Sequence, residues 1–297
     1  MSYNLQIVEH GNGSIQIKTY SGDMGRARKK KSKSVTTAIK SGAEILEELG
    51  FGKCREVSRK RWMETKEERE KRESLNVYNS ISRTKKRINM LARSCQWEYF
   101  ATITVSKKIG DRTDFKLVMG KIRAWLSNMR KRYAPSLKYL AVPEAHKKIE
   151  ENGKHAWHIH ILLADVGDIP FTDSGLVAVG KKAYRREGKY IDYPPIYNLP
   201  WAWGYSSAIP ITNNEGNKIS YYITKYITKE VILLTGKAHK YYASQNLLEA
   251  NITKMDMPEK YHEEFVKEYL QRHDKKIIYT KEGTKYVKTK FYEIDGK

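Results

Sequence analysis

Cysteine is almost absent from this chain. Its 297 residues hold two, Cys54 and Cys95, and neither belongs to a CxxC pair. That excludes a disulfide framework and a cysteine zinc centre, and it suits a reducing cytoplasm. Long apolar runs are missing too: a stretch such as Val231–Leu234 is far too short to span a bilayer. The opening MSYNLQIVEHGNG lacks a basic segment followed by an apolar one, so it does not read as a secretory signal. No GxxxxGK[ST] loop is present, so no phosphate cradle of the ATPase kind is expected. Acidic residues are outnumbered, 34 Asp and Glu against 56 Lys and Arg, which leaves a net charge of +22. Phenylalanine is scarce at 6, while tyrosine reaches 21.

A chain this basic meets a polyanion. Nucleic acid is the first candidate and an anionic membrane surface the second. The tyrosine excess suits nucleic acid, because a phenol ring stacks on bases and its hydroxyl bonds phosphates, although many of these rings are also good strand residues. The run holding Arg26, Arg28, Lys29, Lys30 and Lys31 cannot bury and reads as a solvated arm on DNA backbone.

Hydrophobic periodicity organises the rest. Alternation over 3–20 around HGNGS predicts a hairpin. Val35, Ile39, Leu46 and Leu49 recur at helical spacing before Gly50. The highly charged stretch 62–94 carries one apolar stripe, Val77, Ile81, Ile88 and Leu91, and predicts a docked helix. Tyr99–Val105 reads as a strand, 113–133 as a helix ended by Pro135, and Leu137–Val142 and Ala156–Leu163 as two strands joined through KKIEENGK. A Pro-, Gly- and Tyr-rich excursion over 169–204 follows, then a strand at 206–212 and a helix near 217–232. Asp256, Met257 and Pro258 open a helix to about His273, and 277–291 reads as a hairpin around Lys281–Thr284. The boundaries drawn are a basic N-terminal extension over 1–74, a central domain over 75–235 and a C-terminal helix and hairpin over 236–297.

Three segments carry chemistry. In His158-Ile-His160, strand alternation places both imidazoles on one face, as two ligands of one divalent ion would sit. Glu144, at the end of the preceding strand, is brought beside them by the hairpin. Two His and one carboxylate suit Mn²⁺ or Mg²⁺ engaging a phosphate oxygen, with His146 near enough to assist. In Tyr222-Ile-Thr-Lys225-Tyr226-Ile-Thr-Lys229, helical spacing stacks Tyr222 and Tyr226 one turn apart, with Lys225 and Lys229 on an adjacent face and Tyr221 turned away into packing. A phenol attacks poorly at neutral pH unless a cation favours the phenolate, which these lysines supply. The alternative for this segment is an amphipathic helix with partly buried tyrosines. In Leu199–Gly204, Trp201 and Trp203 offer rings for unpaired bases, or for the core. Thr102 and Thr104 read as β-formers.

In order, FATITV (Phe100–Val105), VPEAHK before the next segment, HIHILL (His158–Leu163) and YITKYITK (Tyr222–Lys229) resemble the replication initiators of the HUH endonuclease superfamily found in phages and rolling-circle plasmids. The resemblance covers roughly residues 75–232. It implies an α+β fold, a central antiparallel sheet flanked by helices and related to the ferredoxin-like arrangement. It implies metal ligands at His158, His160 and Glu144, nucleophiles at Tyr222 and Tyr226, and phosphate support from Lys225 and Lys229. The activity implied is a DNA endonuclease and strand transferase that nicks single-stranded or extruded origin DNA through a 5′-phosphotyrosine and hands a 3′-OH to a host polymerase, with a host helicase, in the cytoplasm of a bacterial cell. The connection between Glu144 and His158 is longer than the family pattern, and 1–74 and 233–297 match nothing in it. Two other readings stand beside this one: a transposase or relaxase with the same chemistry, and a nucleic-acid-binding protein without catalysis, in which both tyrosines are buried. A metal-dependent oxidoreductase barrel fits neither the charge nor the tyrosine segment.

Overall fold

The computed structural model of the chain describes residues 3–21, 65–180, 182–211, 216–236, 238–283 and 289–294. The basic run with Arg26, Arg28, Lys29, Lys30 and Lys31, the helix expected over 35–49 and Cys54 lie outside the described residues.

Alternating apolar residues make a hairpin of β1 (Leu5–Glu9) and β2 (Ile15–Tyr20), with Leu5 and Ile17 fully buried. Helix α1 (Lys66–Ala92) opens on a capping box: the Thr65 amide donates to Glu68 at 3.0 Å and the Glu68 amide to Thr65 at 3.2 Å. Its predicted stripe buries Ile88 and Leu91 and half-buries Val77 and Ile81. Strand β3 (Tyr99–Thr104) leads to α2 (Phe115–Arg132), whose first amides are accepted by Asp114. β4 (Lys138–Ile149) and β5 (His155–Ala164) form the next hairpin. The excursion over 169–204 is three further strands, β6 (Thr172–Val179), β7 (Lys182–Arg185) and β8 (Pro195–Asn198), with a 3-10 turn at Gly188–Tyr190. Its glycines fall where the chain must turn, Gly180 at φ +61° and Gly188 at φ +53°. β9 (Ser206–Pro210), α3 (Gly216–Thr224) and α4 (Lys229–Thr235) follow, then β10 (Tyr242–Ala243), β11 (Asn251–Met255), α5 (His262–Arg272), β12 (Ile277–Gly283) and β13 (Thr289–Ile294). β12 runs through Lys281–Gly283, so the turn expected there lies further on, outside the described residues.

The fold is α+β, built on antiparallel sheets flanked by helices. Two compact units divide the chain. One comprises residues 1–9, 15–76 and 251–297 and holds a five-stranded sheet in the order β11-β1-β2-β13-β12. Val266 of α5 packs there with Leu5, Ile17 and Ile294. The N- and C-terminal segments, read separately from the sequence, thus share one sheet, because each hairpin has too few strands to cover an apolar face alone. The other unit, 10–14 with 77–250, holds eight strands in the order β10-β4-β5-β3-β9-β8-β6-β7. Trp125, Met119, Ile122 and Leu126 of α2 are fully buried against this sheet's core residues. Among the described residues no helix is long and apolar enough to cross a membrane.

After Trp203 the backbone returns against β3. A Cβ on Gly204, at φ +155°, would lie 2.4 Å from the Thr104 carbonyl oxygen and 2.6 Å from the Ser106 amide. Both neighbours are backbone and cannot swing aside. Gly204→Ala is therefore expected to cost about 2–3 kcal/mol, read as a shift in the urea midpoint; an unshifted midpoint would mean the strand and turn separate freely.

Candidate active site

β5 presents His158 and His160 on one face and buries Ile159 and Ile161 on the other. Sheet register brings them partners. Glu144 of β4 stands directly opposite His158, and Thr102 of β3 opposite His160. Glu144 is therefore inside a strand rather than at its end. The long connection to His158 is mostly ladder, because the hairpin arms extend to Ile149 and from His155, and a bulge between Ala145 and Ile149 absorbs their unequal length.

His160 is held on every side. Its Nε2 lies 2.8 Å from Glu144 Oε2 and its Nδ1 3.1 Å from Thr102 Oγ1. The rings of Tyr226 and Phe100 lie nearly parallel to it, with centroids at 3.7 and 5.6 Å. His158 is half-buried and stacks on His146 at 4.8 Å, and His146 accepts on its carbonyl from His155 at 2.8 Å. Burial pushes both imidazole pKa values down, and the neighbouring His146 adds to this at His158. Both rings are thus neutral near pH 7, the form that coordinates a metal ion. Burial pushes the Glu144 carboxyl up, but the hydrogen bond from His160 and the nearby positive charges outweigh it and hold it below the usual range.

The tyrosine segment departs from the single helix expected. α3 ends at Thr224 and α4 begins at Lys229. The amides of Lys225, Tyr226 and Ile227 reach back three residues rather than four, at 3.2–3.4 Å, and Thr224 Oγ1 bonds the Tyr221 carbonyl at 2.7 Å. Thr228 then caps the new helix by accepting from the Val231 amide. β-branched Ile-Thr pairs, whose hydroxyls compete for backbone groups, explain the break. Ile223 and Ile227 remain fully buried and anchor both sides of it.

The break separates the two tyrosines in environment. Tyr222 is 41 % exposed, and Lys225 Nζ lies 3.2 Å from its ring centroid. Tyr226 is 7 % exposed, pressed on His160, with Lys225 Nζ 4.9 Å away. Burial raises the Tyr222 hydroxyl pKa, but hydrogen bonds from Tyr226 and Lys225 outweigh this and lower it overall. Tyr226 moves far upward, through burial first and then its bond to Tyr222.

The other residues singled out from the sequence fall in different places. Lys229 is exposed at the start of α4, so it does not stack on Lys225 as one helix would require. Tyr221, expected to pack, is 49 % exposed beneath the Arg93 guanidinium at 5.2 Å. Trp201 is core, not a base-stacking ring: it is buried between Trp125 and Trp203 and donates to the Thr104 carbonyl at 2.8 Å. Trp203 is half-exposed, with Lys121 Nζ 5.1 Å from its ring. Sequence reasoning missed Phe100 and treated Thr102 as a strand former only. Their i, i+2 spacing with the histidine strand as neighbour was the available signal. Among the described residues, no three His, Cys, Asp or Glu side chains are grouped so as to hold a metal ion.

Residues 98–231, just under half of the chain, match the replication-associated protein ORF2 family. The matched stretch contains Phe100, Thr102, Glu144, both histidines and both tyrosines. It supports a replication initiator that binds DNA. No curated protein and no solved structure matches the chain.

Proposed function

We propose that the protein starts rolling-circle replication by nicking and rejoining single-stranded origin DNA through a 5′-phosphotyrosine. The observation that carries this is the approach of Tyr222, Tyr226 and Lys225 to the His160–Glu144 pair. Tyr222 supplies the first attack: its hydroxyl loses its proton, an Oη–P bond forms, and the P–O3′ bond breaks to leave a 3′-OH. The Lys225 ammonium steadies the phenolate and the phosphate charge. The phosphotyrosyl bond conserves the energy for rejoining, so no ATP is consumed in nicking. Tyr226 serves the second attack after synthesis, leaving the face of His160 by movement of the non-helical turn it occupies. Extension and unwinding fall to a host polymerase and helicase.

The donor set at the site fits Mn²⁺ or Mg²⁺. His160 Nε2 and Glu144 Oε2 stand 2.8 Å apart, close to the edge of about 3 Å between adjacent donors of an octahedral ion with bonds of about 2.1 Å. Held by His158, His160 and Glu144, such an ion polarises a non-bridging phosphate oxygen. Thr102 acts as a positioning residue, because a proton kept on His160 Nδ1 by its hydroxyl leaves Nε2 free to bind. Thr102→Val is expected to raise the Mn²⁺ concentration needed for half-maximal nicking by about 10–100-fold. Superimposable metal titrations would remove Thr102 from the site.

The burial of Tyr226 favours a second reading, a DNA-binding protein without catalysis; the exposure of Tyr222 beside Lys225 does not. The deciding experiment incubates the protein with Mn²⁺ and labelled single-stranded origin DNA and looks for an adduct that survives SDS. An adduct that requires metal supports nicking. Binding without an adduct supports the second reading. Transfer of the strand to unrelated target DNA would point instead to a transposase.

A further inference from the structure

The excursion over 169–204 ends in a feature that the nicking site does not use. Tyr184 of β7 stacks on Tyr190 of the 3-10 turn, with centroids 4.5 Å apart and rings 19° from parallel, and Tyr193 meets Tyr190 edge-on at 6.1 Å. Tyr197 and Phe171, a few residues away, pack against the core; these three rings belong to neither the core nor the side chains packed on it among the described residues. Tyr193 is 43 % exposed and Ile191 beside it 61 %. Cations surround the rings. Lys182, Arg185 and Lys189 are exposed, and Lys189 Nζ lies 5.1 Å from the Tyr190 centroid. Arg186 pairs with Asp173 at 2.7 Å and ties the turn to β6, while Glu187 and Asp192 are the exposed acids nearby.

We infer that this patch is a second DNA-contacting surface, which stacks unpaired bases of the strand flanking the nick. Ordered tyrosines outside the core, interleaved with cations, suit a ligand with flat apolar faces joined by negative charges, and single-stranded nucleic acid is that ligand. Its place in the sheet gives its reach. β7 is five strand positions from β5 in the order β5-β3-β9-β8-β6-β7, about 24 Å along the sheet at about 4.8 Å per strand. That corresponds to about seven stacked nucleotides at 3.4 Å each. The identity of the strand as origin DNA rests on the function proposed above; the stacking surface itself does not.

The test uses the full chain and oligo(dT), which is bound through stacking and charge regardless of sequence. Fluorescence anisotropy compares a short oligomer with one longer by about ten nucleotides on each side. Wild type is expected to prefer the long oligomer, and Tyr190→Ala/Tyr193→Ala to weaken its binding by about tenfold or more. Tyr190→Phe/Tyr193→Phe, which keeps both rings, is expected to retain the preference. Arg185→Gln/Lys189→Gln is expected to flatten the salt dependence by about 0.7 in log–log slope for each lost phosphate contact. The inference is overturned if the alanine variant melts like wild type and binds the long oligomer equally well, or if duplex DNA binds as tightly as oligo(dT) and the alanines affect neither. Should the alanine variant fail to fold, an unchanged affinity and slope in the Arg185 and Lys189 variant overturns it alone. Failure of the nicking reading is separate: it shows as the absence of an SDS-resistant adduct from wild type on origin DNA.

Discussion

Replacing Tyr222 by Phe is expected to abolish the covalent adduct with origin DNA, a loss of about 10³-fold or more, while Tyr226→Phe still forms the first adduct but fails to rejoin the strand. The asymmetry follows from environment. A nucleophile must reach the phosphorus and must part with its proton near neutral pH. Tyr222 is 41 % exposed, and Lys225 and Tyr226 stabilise its phenolate. Tyr226 is buried on His160, and the loss of solvent together with its bond to Tyr222 favours the neutral phenol. Phenylalanine keeps the ring of Tyr222 and its edge contact with Phe100 at 5.3 Å, so the variant tests the hydroxyl and not the packing. The measurement is a time course of SDS-resistant adduct for wild type, each single variant and the double variant. Equal adduct from both single variants would show that the hydroxyls exchange roles. Adduct from the double variant would remove both tyrosines from the chemistry.

Glu144→Gln is expected to lower Mn²⁺ affinity and metal-dependent nicking together, by about 10²–10³-fold. The substitution is close to isosteric and keeps an acceptor for His160, but it removes the negative charge that a divalent ion needs beside two neutral imidazoles. Among the described residues, Glu144 is the one carboxylate bonded to that pair, at 2.8 Å from His160, and its oxygen is held ionised by the same contact. Calorimetric titration with Mn²⁺ and the adduct assay, run on the same preparation, check both halves. Full activity in the Gln variant would exclude Glu144 as a ligand and shift attention to His146, which stacks on His158 at 4.8 Å.

Several of these features were legible in the residue order alone. Strand alternation is local, so His158 and His160 on one face, with Ile159 and Ile161 buried opposite, followed from two-residue periodicity. The apolar stripes of α1 and α2 were legible for the same reason at helical period. The α+β class with its antiparallel sheet followed from the order of these elements and from the family likeness. Local periodicity failed at YITKYITK, where the side-chain spacing fits a helix but Ile-Thr pairs and the anchoring of Ile223 and Ile227 end it at Thr224.

What only the tertiary structure decided are the relations between distant residues. Register set Glu144 against His158 and Thr102 against His160, pairs whose contacts no spacing along the chain encodes. The choice of Trp201 as core and Trp203 as half-exposed depends on which ring α2 and β3 cover. The joining of both terminal hairpins into one sheet depends on strand pairing across most of the chain. The sequence alone determined which side chains can do chemistry and which face of their own element they share, because both are properties of a few consecutive residues. Which of them meet, and how much water reaches each tyrosine, is set by long-range packing, where burial, neighbouring charge and a broken helix act together.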